Sequence, residues 1–239
     1  MFLRYSRAMK AKSDLLAARQ RQAAARPARK DGKRRPTTRL PAAERRAQIL
    51  EKACEFFAEY GLTAQTRALA EACGVSQRLL YSAFPNKAEL LNAVYEANIA
   101  GPFKAVWLAQ LRDRAKPLEE RLVDFYRDYY ATILTRRWLR LFLYASLAEV
   151  EMAPTYIAAI IRTLLQTVVE EAAHDARVKL PGDVALVQEL GWTLHGAVSH
   201  LAIRRHVYRD ATQVAAERVI EMQVKSFLAG VRAVLAPAA

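Results

Sequence analysis

Cysteine is nearly absent from this chain of 239 residues: only Cys54 and Cys73 occur. They lie far apart without a C-x-x-C spacing, which excludes a disulfide framework and a cysteine zinc site. Both read as small buried apolar residues, and a redox role would require a lowered thiol pKa. Four histidines, His174, His195, His200 and His206, lack the i, i+4 spacing of a helical metal pair. No metal and no cofactor is therefore expected. No Gly-rich phosphate loop follows a strand, no nucleophile elbow occurs, and no carboxylate or Cys/His set stands out, so catalysis has little support. Strand-type alternation and internal repeats are also missing. The most apolar stretch, WLRLFLYASLAEV, is short and broken by Arg140, and the N-terminus lacks a continuous apolar h-region. The expectation is a cytoplasmic protein with no membrane partner.

Acidic residues are scarce at one end only. Residues 1–46 carry 15 Lys and Arg against 3 acids, which leaves 22 bases against 21 acids for the rest of a chain whose formal net charge is +13. The body is near neutral and the arm is basic, a distribution that suggests nucleic acid or another anionic surface. A composition of 53% hydrophobic residues is ample for a packed core without covalent staples.

The organising stretch is TRALAEACGVSQRLLYSAFPNK, Thr66 to Lys87. At about 100° per residue, Gln77, Arg78, Tyr81 and Ser82 fall on one side of a helix running to Phe84, and Leu79, Leu80, Ala83 and Phe84 fall on the other. Ser76 stands at the N-cap, and Gly74 suits a left-handed turn after a short helix spanning Arg67 to Ala72. Leu69 points inward from that helix, and Ala70 allows a close crossing. Pro85 stops the reading helix, and Asn86 with Glu89 forms a capping-box arrangement for the next one, leaving Lys87 at a helix start. Two helices about a glycine turn make a helix-turn-helix, whose second helix enters the DNA major groove.

Gly74, Val75, Ser76, Leu80, Tyr81, Phe84 and Lys87 follow the pattern G-V-S-x-x-x-L-Y-x-x-F-x-x-K, which resembles the DNA-binding signature of the tetracycline-repressor (TetR) family. The helix RRAQILEKACEFFAEYG resembles that family's first helix, and the likeness covers about Arg45 to Leu91. The resemblance implies a DNA-reading head on a helical regulatory body, joined by the helix from Lys87, and a dimer formed by the terminal helices.

The rest of the chain reads as helices. Helix 1 begins near Ala42 to Glu44 and brings Ile49, Ala53, Phe56, Phe57 and Tyr60 to the small core. A helix from Lys87 runs to about Ala100 and ends at Gly101-Pro102. Phe103, Trp107 and Leu111 form one stripe, and Leu122, Phe125, Tyr129 and Ile133 form the next. Trp138 to Val150 is apolar nearly all round, so burial on several sides is expected. Pro154 suits the first position of a long helix bearing Ile157, Ile161, Leu164, Val168 and Val169. Helices at about Asp183 to Val207 and Thr212 to Leu235 close the chain. The fold class is all-α, with a basic arm (1–40), a helix-turn-helix domain with connecting helix (41–100) and a helical effector-binding and dimerisation bundle (101–239).

These readings nominate specific residues. DNA contacts are expected from Arg67, Ser76, Gln77, Arg78, Tyr81, Ser82 and Lys87, and from Arg34, Arg35 and Arg39 of the arm. Trp107, Phe125, Tyr126, Tyr129, Tyr130, Phe142, Tyr144 and Trp192 are numerous enough to enclose an apolar ligand. The pocket is assigned to Trp107, Phe125, Tyr129, Phe142, Trp192 and His195. Two apolar faces at the end of the chain imply more burial than one chain supplies, which places Leu194, Val198, Leu201, Ile220, Val224, Phe227 and Val231 in a homodimer interface. The leading reading is a dimeric repressor released from a palindromic double-stranded DNA operator by a small apolar or aromatic effector. An effector-free architectural DNA-binding protein is the alternative, and an enzyme on a helical scaffold is the third reading.

Overall fold

The computed structural model describes residues 41–148, 150–211 and 214–235, so the basic arm with Arg34, Arg35 and Arg39 lies outside the described residues. Helices joined by turns and loops make up those residues, with no strand among them. Helix α1 is Ala42–Tyr60, α2 is Thr66–Cys73 and α3 is Gln77–Ala83. Helix α4 is Lys87–Val94 and runs on through a π-helical turn, Tyr95–Ala100. Helices α1 to α4 are termed the head. In the body, α5 is Val106–Leu111, α6 is Leu118–Thr132 and α7 is Arg136–Leu147. Helix α8 starts at Met152–Tyr156, passes a π-helical turn at Ile157–Ile161 and continues as Arg162–Ala176. Helix α9 is Val184–Ala202 with a closing π-helical turn, Ile203–Val207, and α10 is Ala216–Leu235.

The head is built around α1, which contacts α2, α3 and α4. Its inward face buries Ile49, Ala53 and Phe57 with Leu69, Leu80, Phe84 and Leu90 from the other three elements. Each such Leu or Phe contributes roughly 1.5–3 kcal/mol relative to exposure, more than the intrinsic propensity of a seven-residue helix could supply. The expected core position Tyr60 is instead 65% exposed. It sits in the last residue of α1 and covers the outer side of Phe56, with ring centroids 4.9 Å apart.

Helix α8 is the central element of the body and contacts α5, α6, α9 and α10. Leu164, Leu165, Val168 and Val169 are fully buried along it. Met152–Ala176 is long and apolar enough to cross a membrane by length and composition, with a mean hydropathy of 1.3, but half of that window is buried in the body. It is thus longer than WLRLFLYASLAEV, the stretch expected to be most apolar. Pro154 lies in the first turn after Met152 rather than at the first position; first-turn N–H groups have no helical partner, so its missing donor costs nothing there. Helix α7 is less enclosed than expected. Trp138, Leu139, Leu141 and Ala145 are buried, while Leu147 is 82% exposed.

The terminal helices require a correction. Leu194, Val198, Leu201, Ile220, Val224, Phe227 and Val231, expected at a subunit interface, are all buried inside the single chain. Helices α9 and α10 contact one another, α9 also lies on α6 and α8, and α10 also lies on α6 and α8. These neighbours cover most of the apolar faces, while Phe227 and Val231 also line a groove between α9 and α10. Gly191 of α9 lies against α8. A Cβ built on it would stand 2.8 Å from Leu165 Cβ.

Gly191→Ala is accordingly expected to cost about 1–3 kcal/mol through overpacking. Gly196→Ala meets nothing within 4 Å and should gain up to about 1 kcal/mol of helix propensity. Denaturant unfolding of both variants at matched concentration checks the pair; equal effects would show that α8 and α9 are not packed this closely.

Candidate nucleic-acid interface

The turn between α2 and α3 is fixed by local chemistry. Gly74 adopts φ +69°, a left-handed conformation with little steric cost only for glycine. Its N–H and that of Val75 satisfy the Glu71 and Ala70 carbonyls, each at 3.0 Å, which closes α2. Ser76 Oγ accepts from the Leu79 N–H at 3.2 Å, capping α3, and Asn86 Oδ1 accepts from the Glu89 N–H at 2.8 Å, capping α4. From α1, the Lys52 ammonium donates to the Cys73 carbonyl at 3.4 Å, and the Arg46 guanidinium lies 4.4 Å over the Phe84 ring. Neither Arg46 nor Lys52 was singled out from sequence, because their partners lie on other helices.

On α3 the two sides separate as expected. Leu80 and the C-cap residue Phe84 are buried. Ser76, Gln77, Arg78 and Ser82 are exposed, and Tyr81 is 43% exposed. Arg67 is exposed on the first turn of α2. Lys87 is half-buried and donates to the Ala64 carbonyl at 3.2 Å, so it also ties the loop before α2 to the start of α4. These seven residues are carried by three short helices held on one core. Both cysteines are buried, and burial pushes the Cys54 thiol up to about 11 and the Cys73 thiol up as well. That opposes a redox role.

Head and body meet where α7 crosses α1. Arg140 donates to the Ala58 carbonyl and, at 2.9 Å, to the Glu59 carbonyl. Arg136 pairs with Glu59 at 3.3 Å, and Arg137 pairs with Glu51 through two hydrogen bonds. The hydrogen bonds from Arg137 hold the Glu51 carboxyl below the usual carboxylate range. A second tie runs from Trp138 Nε1–H to the Ile99 carbonyl at 3.2 Å, joining α7 to the end of α4. The first-turn position of Arg136 and Arg137 was the available sequence signal. Cations at a helix N-terminus oppose the macrodipole and call for an external partner.

In the body, five of the six residues nominated for a ligand pocket come together. Trp107 packs on Phe125 and Tyr129, each with centroids 5.7 Å apart, and Phe125 lies 5.5 Å from Tyr129. Tyr129 lies 5.3 Å from His195, which lies 5.5 Å from Trp192. Phe142 belongs to a neighbouring group, stacked on Trp138 at 4.7 Å and edge-on to Tyr156. The groups meet where the Tyr129 and Tyr156 hydroxyls stand 3.4 Å apart. Trp107, Phe125, Tyr129 and His195 are all buried by this packing. Trp107 and Phe125 line a cleft of about 410 Å³, and Trp192 lines another of about 700 Å³ between α8 and α9. Tyr126, one of the aromatics named as able to enclose a ligand though not assigned to the pocket, is buried in the cluster, and Tyr156 is a buried member that the sequence did not mark. No group of three His, Cys, Asp or Glu suited to a metal occurs among the described residues.

A polar-faced, cap-defined helix on a three-helix core is the architecture of a helix-turn-helix head, here mounted on a helical body. Residues 49–94 match the family model described as bacterial regulatory proteins, tetR family, and that segment is similar to the DNA-binding domain of the family. No curated protein matches it. Among solved structures, a TetR-like transcriptional regulator from Rhodococcus sp. RHA1 shares 21% identity at a TM-score of 0.61, covering 80% of this chain and 100% of that one. NalD of Pseudomonas aeruginosa, the secondary repressor of the MexAB-OprM multidrug efflux pump, shares 19% identity at a TM-score of 0.57, covering 79% and 96%. The fatty acid degradation regulator FadR of Bacillus halodurans shares 17% identity at 0.56, covering 80% and 97%. At such identities the likeness is one of fold.

The junction yields a graded prediction. Arg140→Met leaves two carbonyls of α1 without their donor and should cost about 1–3 kcal/mol. Arg136→Met removes only an exposed pair and should stay within about 1 kcal/mol. Denaturant midpoints give the order directly, and a reversed order would move the anchoring role from Arg140 to Arg136.

Proposed function

We propose that this chain is a dimeric, cytoplasmic repressor that binds a palindromic double-stranded DNA operator and is released by a small apolar or aromatic effector. The observation that carries the reading is α3 itself, whose apolar side is sunk in the head while Gln77, Arg78, Tyr81 and Ser82 remain free. Arg78 and Gln77 carry the donors suited to base edges in the major groove, and Tyr81, Ser82, Arg67 and Lys87 suit the flanking phosphates. Residues 1–40 add thirteen Lys and Arg against two Asp, a charge that suits further phosphate contact through Arg34, Arg35 and Arg39. The reading unit would be 41–100 and the effector and dimer unit 101–239.

Dimerisation is assigned to the outer side of α9 and α10 rather than to their buried sides. A groove of about 380 Å³ runs there between Leu190, Thr193 and Ala197 of α9 and Met222, Ser226 and Val234 of α10. Met222 is 59% exposed and Val234 56%, an apolar surface that a second copy would cover. Two heads held by such a dimer fit half-sites about 34–36 Å apart, and an effector favouring another head spacing would end repression. The close packing of the ring cluster favours the second reading, an effector-free architectural DNA-binding protein.

Selection of bound genomic DNA followed by footprinting with and without apolar compounds separates the two. A palindromic footprint lost on addition of a compound supports the repressor; sequence-independent coating supports the architectural protein. Within that assay, Arg78→Ala should reduce operator discrimination by about 1–3 kcal/mol, and an unchanged ratio of operator to random DNA would remove Arg78 from the base readers. In light scattering, the wild type should show twice the chain mass. Met222→Glu should yield a folded monomer, whereas Val224→Glu should unfold by burying an unpaired charge. A monomeric wild type at micromolar concentration would eliminate the dimer.

A further inference from the structure

Two side-chain polar atoms in the ring cluster, the Tyr126 hydroxyl and His195 Nδ1, are buried without a hydrogen-bond partner. Their rings lie 6.1 Å apart. Tyr126 is fully buried and His195 is 3% exposed. Leaving such an atom unpaired costs about 1–3 kcal/mol, so two on adjacent rings point to a group that both could meet. The neighbouring Tyr129 hydroxyl is already shared with Tyr156.

The chemistry of that group follows from its surroundings. The rings packed on His195 are Tyr126, Tyr129 and Trp192. Burial brings the imidazole down to about 4 and raises the Tyr126 hydroxyl above its ordinary value, so both are uncharged at neutral pH. A carboxylate placed there would be desolvated among aromatic rings, which is costly. A hydroxyl can accept from Tyr126 and donate to the imidazole, or accept from both in the other tautomer.

The 410 Å³ cleft is lined by Trp107 and Phe125 with charged side chains such as Asp113, Lys116 and Arg121, and Phe125, packed on Tyr126 at 4.7 Å, stands between its apolar wall and the pair. Trp107 and Phe125 line the cleft and also pack on Tyr129. Trp107 is anchored through Nε1–H on Asp128 at 2.8 Å. Phe125 has no polar atom to anchor it, so its ring is the one that rotation can displace. We propose that the cleft and the Tyr126–His195 pair form one site, joined by movement of Phe125, which takes an uncharged aromatic ligand bearing a hydroxyl, of the phenol class. This assignment rests on the ligand-responsive reading and gives its effector a chemical class.

The test uses the full chain with para-butylphenol, para-butylbenzoate and butylbenzene in titration calorimetry. Butylphenol is expected to bind most tightly, and Tyr126→Phe and His195→Leu should each weaken it about tenfold, as for one buried hydrogen bond. Butylbenzene should bind wild type and variants alike. In the absence of ligand, Tyr126→Phe should leave the melting temperature unchanged or raised, since an unpaired buried hydroxyl has been removed. A lowered melting temperature would mean that the hydroxyl is bonded within the fold, and overturns the site. So does equal butylphenol affinity across wild type and variants, a benzoate that binds as tightly as the phenol, or no phenol binding at all. Operator release by unrelated apolar compounds is measured separately, so these results can sink the phenol site while the ligand-responsive reading stands.

Discussion

The contact between α7 and the end of α1 is the constraint on which the head's placement depends. Helix α1 ends with Glu59 in its last turn and no basic residue there, which sets a negative charge beside the negative pole of the helix. Helix α7 begins with Arg136 and Arg137 and no acid in its first turn, the opposite mismatch. Each end is unfavourable alone and compensated by the other. The last carbonyls of α1, which no intrahelical donor can reach, are met by Arg140. Docking thus satisfies backbone groups as well as charges, and gives this crossing a geometric definition that exposed ion pairs alone would lack.

The same helix connects the junction to the ring cluster. Trp138 donates to the Ile99 carbonyl at the end of α4, packs on Phe142 and Tyr156, and Tyr156 meets Tyr129 in the body core. The π-helical turns Tyr95–Ala100 and Ile203–Val207 both contact α7, and the first of them also contacts the start of α8. Such turns are local departures from α geometry and recur at functional positions. A ligand can shift the head only by binding two arrangements of this group with different affinity. To move a one-to-ninety-nine mixture to its reverse requires about 5.5 kcal/mol of difference, so a buried hydrogen bond contributes only part and apolar contact must contribute the rest.

Local signals carried most of what could be read in advance. Gly74, Ser76 and Asn86 were legible as caps because their partners lie within a few residues. The two faces of α3 were legible for the same reason, since helical geometry assigns them without knowledge of neighbours. Periodicity could say that α9 and α10 each have an apolar face, but not what covers it. Val198 and Val224 were therefore assigned to a partner chain when α6 and α8 already enclose their helices. Tyr60 failed likewise, because helical phase placed it near the core and the end of α1 turned it outward. Arg137 and Arg140 act through residues 81 to 86 positions away and Tyr126 through the lack of a partner, and no spacing encodes either.

Precision in the head comes from packing rather than from helix strength. Helix α3 has seven residues, well below the length at which an isolated helix persists in water. Its reading side is ordered because Leu80 and Phe84 are held in the core, Arg46 covers Phe84, and Ser76 closes the first turn. A helix supported in this way cannot reorient on its own without losing buried area worth several kcal/mol. The less costly movement is of α1 to α4 together, against the exposed ion pairs at Glu51 and Glu59 and the few backbone hydrogen bonds from Arg140 and Trp138. Polar contacts of this kind exchange with water at small net cost. The fold therefore concentrates its compliance at the α1–α7 crossing and the end of α4, and keeps the reading surface itself rigid.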